Sequence, residues 1–376
     1  MKIIDYLQKF ILKRFFPFKE WISDLRNPKN LQADIIAGVT VALVLVPQSM
    51  AYAQLAGLPP YYGLYASFLP VAIASIFGSS RQLATGPVAV VSLLTAAALE
   101  PIASSDPSGY IAYAIMLAFL VGLFQLCLGL LRLGVLVDFL SHPVVTGFTN
   151  AAAIIIATSQ LSKLFGVSVV TQEHHYQTIM NVISEALVNT HTPTLLMGIL
   201  AIFIILFVKK LSNKYPAVLI SVVITTAISW YINFESRFGG KVIGVVPDGL
   251  PSMQMPQIDF SQLVNLGTVA IAISLIGFME AISIAKAMAT QTKQRLDADQ
   301  ELIGQGLSNL ASSFFQGYPV SGSFSRSAVN ISAGAVTGFS SVVTGLVVGI
   351  TLLFLTPLLY HLPQATLAAV IITAVI

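Results

Sequence analysis

Charge is what this sequence has least of. Of 376 residues, 19 are Lys or Arg and 16 are Asp or Glu, 9% in all, where ordinary soluble domains carry about 25%. Long stretches hold none. There is one cysteine, Cys127, inside the run MLAFLVGLFQLCLGLL. It excludes an internal disulfide and a cysteine-rich metal site, and so apolar a setting assigns it to helix packing. The five histidines do not form a ligand pattern. His174 and His175 are a bare adjacent pair in a loop, while His142, His191 and His361 fall near segment ends. No Walker-type phosphate loop and no nucleophile–base spacing occurs, so no enzyme is expected and no cofactor or metal is called for. A net charge of +3 carries no information on nucleic acid.

What is present is apolar. The hydrophobic fraction is 56% and the mean hydropathy +0.83, which fits a polytopic helical membrane protein. A transmembrane barrel would alternate apolar and polar residues in short strands, and this chain has long continuous runs instead. About twelve segments are expected, over 32–52, 62–78, 86–99, 109–131, 143–160, 192–208, 216–233, 264–288, 301–316, 324–335, 337–356 and 363–376. The third, ninth, tenth and twelfth are too short to cross as regular helices. Residues 176–189 are a candidate interfacial helix. With the N-terminus inside, fifteen Lys and Arg fall in inner loops and the tail, and three, Lys163, Arg237 and Lys241, fall outside. That bias follows the positive-inside rule and supports a cytoplasmic N-terminus in a cell membrane. Residues 1–31 are basic and amphipathic, with Phe15, Phe16, Phe18 and Trp21 expected at the membrane interface. No cleavable signal peptide is evident. The outer loop 234–263, with Pro247, Pro251 and Pro256, needs no fold of its own. The chain stops inside the run LAAVIITAVI, so it is expected to be truncated after about segment twelve.

Segments three and ten share a plan. RQLATGPVAVVSLLT and YPVSGSFSRSAVN each open with an extended stretch (Gln82-Leu83-Ala84; Pro319-Val320), pass through a small residue and a glycine (Thr85-Gly86; Ser321-Gly322), and continue as a short helix. Short Gly/Pro-interrupted segments in corresponding halves are the best sequence pointer to a transporter's binding site. A helix that starts in mid-membrane exposes its first N–H groups where no water can meet them. An anion between two such starts meets free donors and two positive dipole ends. The candidate donors are the amides of Val88 and Ala89, because Pro87 has none, and those of Phe324, Ser325 and Arg326. The plainer alternative is that the glycines only allow close helix packing. Two charges also stand inside apolar runs, Glu280 in GTVAIAISLIGFMEAISIA and Arg326 in SGSFSRSAVNISAGAV. An intramembrane acid and base mark a polar pathway or site.

Four runs carry a family resemblance: VTVALVLVPQSMAYAQLAGLPPYYGLYASFLP, FGSSRQLATGPVAVVSLL, GFMEAISIAKAMA and NLASSFFQGYPVSGSFSRSAVN. They resemble the SulP family of anion transporters, which includes sulfate permeases, bicarbonate transporters, pendrin and prestin. The resemblance covers residues 30–376. It implies an all-α membrane fold of two inverted repeats of seven segments, uracil-permease-like, with two half-helices. It implies a core domain, here 32–142 and 264–356, and a gate domain, here 143–263 and 357–376, with the last gate segments and a STAS domain missing. It places a pocket between Gly86-Pro87-Val88-Ala89 and Ser323-Phe324-Ser325-Arg326, with Gln48 after Pro47 contributed by segment one. Pro47 removes a backbone donor, and Tyr52 lies one turn from Gln48 on the same face. Vertebrate relatives carry phenylalanine where Val88 stands, which implies a wider pocket wall here.

Glu280 has several readings: a proton-binding carboxylate, half of an ion pair with Arg326, a cation ligand, or a simple hydrogen-bonded tie. The proton role is favoured because GFMEAISIAKA resembles sulfate permeases. Sodium-coupled bicarbonate relatives tend to have an aspartate in this region. Gly277, Glu280, Ser283 and Ala287 share one helical face, where the small residues are expected to admit close packing. The expected activity is secondary active transport of an inorganic oxyanion, sulfate first, driven by protons rather than sodium, by alternating access. Bicarbonate or dicarboxylate transport and an anion channel are the alternatives, and a homodimer is implied for the full protein.

Overall fold

The computed structural model describes residues 14, 16–103, 106–135, 142–170, 172, 174–212 and 215–375, with the backbone alone for 142–146. Residues 1–13 of the basic N-terminal segment, and Phe15, lie outside them. The principal helices are α1 (Pro28–Leu55), α2 (Tyr61–Phe77), α3 (Ala89–Ala103), α4 (Pro107–Leu130), α5 (His142–Ser159), α6 (Thr192–Leu211), α7 (Ala217–Ile232), α8 (Leu263–Thr292), α9 (Ala298–Phe314), α10 (Phe324–Ser332), α11 (Phe339–Ile350) and α12 (Gln364–Val375). Among the described residues, five stretches are long and apolar enough to cross a membrane by length and composition: α1, α4, α6, α8 and the continuous run Phe339–Leu359.

Helix ends follow local chemistry. Asn27 caps α1 by accepting the N–H of Lys29, and Pro28 occupies the first turn, where no N–H is needed. Asp106 caps α4 and Asp297 caps α9 in the same way. Asp106 lies in the loop before α4, and hydrogen bonds, first from the Ser108 hydroxyl, hold its carboxyl below its ordinary value. Helix α11 does not run on regularly to 356. It continues as a π turn over Thr351–Leu355 and a 3-10 turn over Thr356–Leu359, the kind of irregularity that α-helices carry near functional sites.

Helix α9 packs between α4 and α2, while α11 packs on α1 and α2 and α8 on α4. Glycines set the spacing. A Cβ on Gly306 would come within 2.6 Å of the Leu126 nitrogen, and one on Gly122 within 2.6 Å of the Leu310 nitrogen, so α4 and α9 touch backbone to backbone. Helices α5, α6, α7 and α12 form a second group, with α6 on α7 and α12, and meet the first group mainly through α1 and α3. Gly63 on α2 faces the backbone of α1, where a Cβ would overlap the Ser49 carbonyl. Gly63→Ala is therefore expected to force the helices apart at a cost of about 1–3 kcal/mol, read as a lower melting temperature in detergent. An unchanged melt would show that α1 and α2 can slide.

Several expectations are corrected. Cys127 is exposed, not packed between helices. Ser283 and Ala287 are exposed too, and the close approach on α8 is made at Gly277 and Ala281. Trp21 is buried, lying against Gly338 where an interfacial side chain was expected. Loop 234–263 is more than a tether. It begins with a helical turn, Phe234–Phe238, around a buried Phe234. It is pinned where Tyr113 donates to Asp259 and Thr356 to Asp248. The helix expected at 176–189 spans His175–Asn189 and exposes Tyr176, Met180, Ile183 and Leu187 as one apolar stripe, the pattern of a helix lying in a membrane surface.

Candidate functional site

The extended stretches before α3 and α10 pair with each other. Strands β1 (Ala84–Gly86) and β2 (Ser321–Ser323) run antiparallel with Ala84 opposite Ser323, Thr85 opposite Gly322 and Gly86 opposite Ser321. Both strands lie over the glycine pairs themselves, one or two residues beyond the stretches expected to be extended. The antiparallel ribbon sends the two short helices away in opposite directions. Glycine is needed on both sides. Gly86 takes φ +154°, and a Cβ on Gly322 would meet the Ala281 backbone at 3.1 Å. The ribbon is held laterally by polar side chains. Ser321 Oγ donates to the Gly277 carbonyl of α8 (2.7 Å), Ser327 Oγ accepts from the Ala84 N–H (2.9 Å), and Asn309 bonds both the N–H and the carbonyl of Val320.

Neither short helix is capped by a side chain in the usual way. The N-cap of α10 is Ser323, whose hydroxyl makes no capping bond and sits 3.4 Å from that of Ser325. On α3 the position before the first turn is Val88, whose side chain has no acceptor, and Pro87 before it has no N–H to offer. Val88 is buried and Ala89 half-buried, whereas Phe324 and Ser325 are exposed.

Arg326 is the central feature. Its side chain is fully buried, and none of its three guanidinium nitrogens has a hydrogen-bond partner. It reaches from the first turn of α10 back to β1, so that a Cβ on Gly86 would lie 3.4 Å from Nη2 and equally close to Leu45 of α1. Tyr52, Tyr318 and Glu280 all stand within electrostatic reach of the guanidinium. No direct ion pair joins Arg326 to Glu280, whose Oε2 is itself buried and without a partner. Gln48, also buried, presents an unpartnered Oε1 one turn from Tyr52. Buried polar groups are nearly always hydrogen-bonded, so three open groups in one neighbourhood mark a place built to meet something polar.

The structure thus brings Gly86, Arg326, Tyr52 and Glu280 to one neighbourhood. Tyr318 and Ser92 belong to it as well, and sequence reasoning passed over both. The Tyr318 hydroxyl lies 3.1 Å from that of Ser92 on α3. The available signal was its place directly before Pro319. A cavity of about 520 Å³ runs beside the far half of α3, past Leu93, Ala96 and Glu100, to Lys163. Lys163 lies in the short helix after α5, and burial pushes its ammonium down to about 8. None of the residues expected at the site lines that cavity. His175 meets the Thr158 hydroxyl, and His191 sits between Thr194 and the Phe238 carbonyl.

A helical membrane bundle with two short helices springing from a paired ribbon beside a buried cation is a membrane-transporter architecture. Solved structures share it. The overall structure of SLC26A9 superposes with a TM-score of 0.93 at 25% identity over 99% of this chain and 61% of that one. The transmembrane domain of the cyanobacterial bicarbonate transporter BicA gives 0.83 at 26% identity over 92% and 88%. The chain belongs to the sulfate permease family, whose profile matches residues 31–376. Among curated relatives, sulfate transporter 4.1, chloroplastic, of Arabidopsis thaliana is 40% identical across all of this chain and 54% of its own length. The sodium-independent sulfate anion transporter of Bos taurus is 34% identical over 97% of this chain and 64% of its own. The chain therefore spans little more than half the length of the curated relatives it matches.

Proposed function

We propose that this chain is the membrane part of a secondary active transporter that carries an inorganic oxyanion, sulfate first, bound between the starts of α3 and α10. The observation that carries the reading is Arg326, a fully buried guanidinium with open donors held against Gly86. Burying a charge is costly unless it is met, and an anion would meet it. The amides of Val88, Ala89, Phe324 and Ser325 would add the helix-start donors, and Gln48 and Tyr52 the side wall. Sulfate is favoured because the curated relatives named above are sulfate transporters. Bicarbonate is the second reading, on the likeness to BicA.

In this proposal α1–α4 and α8–α11 form a core body within 32–142 and 264–356. Helices α5–α7 and α12 form the gate within 143–263 and 357–376. The two halves are related as inverted repeats, and the core moves against the gate by alternating access. Glu280 takes up the coupling proton, which offsets substrate charge. The protein works in a cell membrane with its N-terminus on the cytoplasmic side, as a homodimer at its full natural length. Uptake of labelled sulfate, bicarbonate and fumarate into proteoliposomes, with and without pH and sodium gradients, tests the reading. Sulfate uptake driven by the pH gradient alone is expected. Current exceeding carrier turnover would replace the carrier by a channel.

Backbone recognition has its own test. Ser325→Ala removes a hydroxyl and keeps the N–H, so binding should weaken by about 1 kcal/mol. Ser325→Pro deletes the donor and should weaken it more. Equal affinities of the two folded variants in a direct binding assay would argue against amide recognition.

A further inference from the structure

Two more carboxylates are buried in the bundle, and the site described above uses neither. Asp34, in the second turn of α1, is fully buried. Its Oδ1 accepts the N–H groups of Val336 (2.7 Å) and Thr337 (3.0 Å), and its Oδ2 accepts the Thr337 hydroxyl. Glu301, in the first turn of α9, is 1% exposed. Its Oε2 accepts the N–H groups of Ser79 and Ser80, both at 2.9 Å, and its Oε1 accepts the Gln305 amide at 3.1 Å. Neither is ion-paired. Each charge is met by backbone amides and neutral side chains, a strong form of hydrogen bond with fixed direction.

The loops they grip belong to the two short helices. Ser79 and Ser80 begin the connection into β1 and α3, and Val336 and Thr337 end the connection out of α10. The arrangement is reciprocal. Asp34, near the start of the chain, holds the loop that follows α10, 302 and 303 positions away. Glu301, in the second half, holds the loop that precedes α3, 222 and 221 positions away. Gln82 joins the loops, donating to the Ala335 and Val336 carbonyls while its own carbonyl accepts from Asn330. Gln305 extends the grip to the site, donating to the hydroxyl of Thr85 (2.9 Å) next to Gly86.

We propose that Asp34 and Glu301 are positioning residues, two reciprocal anionic braces that fix the separation of the α3 and α10 starts and thereby set the size of oxyanion the site accepts. The proposal rests on reading those starts as the anion site. Neutral groups could hold loops with less desolvation. Charged acceptors suit a place where donors must stay within about 0.5 Å of a set geometry.

The test uses the protein at its full natural length in proteoliposomes. Labelled sulfate uptake is competed by unlabelled sulfate and by the larger tetrahedral anion molybdate. Asp34→Glu and Glu301→Asp keep the charge and change the reach by one methylene. Each is expected to shift the sulfate-to-molybdate inhibition ratio by roughly 10-fold or more, since misplacement by 1 Å can cost about 100-fold. Melting temperatures should stay near wild type. Thr337→Val removes one donor to Asp34 and should shift the ratio in part, with Thr337→Ser restoring it. Folded length variants with the wild-type ratio would overturn the proposal. If the length variants do not fold, a wild-type ratio in Thr337→Val would do the same. Sulfate uptake unchanged in Arg326→Gln would instead defeat the anion-site reading beneath it, whatever the ratios show.

Discussion

Arg326→Gln is expected to weaken anion binding by about 100-fold or more while the protein keeps its fold. Hydrogen bonds to a charged group contribute about 1.5–3 kcal/mol each, and 1.4 kcal/mol is a factor of about 10 in affinity. Losing the cation and part of its donor fork reaches that figure easily. Arg326→Lys should fall between, keeping charge without the planar fork. The competing account makes Arg326 a counter-charge for Glu280. On that account Arg326→Gln would strand a buried carboxylate at about 3–5 kcal/mol, and adding Glu280→Gln would relieve it. The absence of a direct ion pair and the open guanidinium nitrogens favour the first account. Melting temperature and sulfate affinity of both singles and the double decide. A double variant that regains both would leave Arg326 as a structural counter-charge.

Glu280→Gln is expected to abolish accumulation driven by a proton gradient and to spare exchange of anion for anion. The glutamine keeps the shape but cannot take up a proton, so the thermodynamic link to pH is cut while the anion site stays in place. Proteoliposomes loaded with unlabelled sulfate and given labelled sulfate outside measure exchange, and an imposed pH gradient measures accumulation. Unchanged accumulation would remove Glu280 from the mechanism.

The twelve helices lie close to the segments expected from apolar runs and loop charges, because length and composition decide where a chain can cross a bilayer. What the runs could not show is which face turns inward. In a chain apolar all round, lipid-facing and protein-facing residues look alike, so Cys127, Ser283 and Ala287 have the sequence setting of packing positions and yet are exposed. The α3 and α10 starts were legible from their glycines and from Pro87. Their pairing through β1 and β2 was not, since it joins residues more than two hundred positions apart. Asp34 and Glu301 escaped notice for a local reason. Asp34 stands at the start of the expected segment 32–52, close after Lys29 and Asn30, and Glu301 opens the expected segment 301–316 directly after the polar run DADQ, so neither stands out as a charge inside an apolar run. Their burial is decided by loops from the opposite half of the chain.

The contact between Arg326 and Gly86 has an electrical consequence. A permanent cation fixed to the paired ribbon travels with it, so a core that shuttles across the membrane would carry its own gating charge. One elementary charge crossing the full field does work of about 2.3 kcal/mol per 100 mV. With a monovalent anion aboard, that charge is cancelled and the loaded passage is blind to voltage. With sulfate aboard and Glu280 protonated the core carries a net −1, whereas on the empty return the ionised Glu280 carboxylate offsets Arg326 and the passage is electrically neutral. The two residues together would thereby confine the pull of the membrane potential to the loaded half of the cycle.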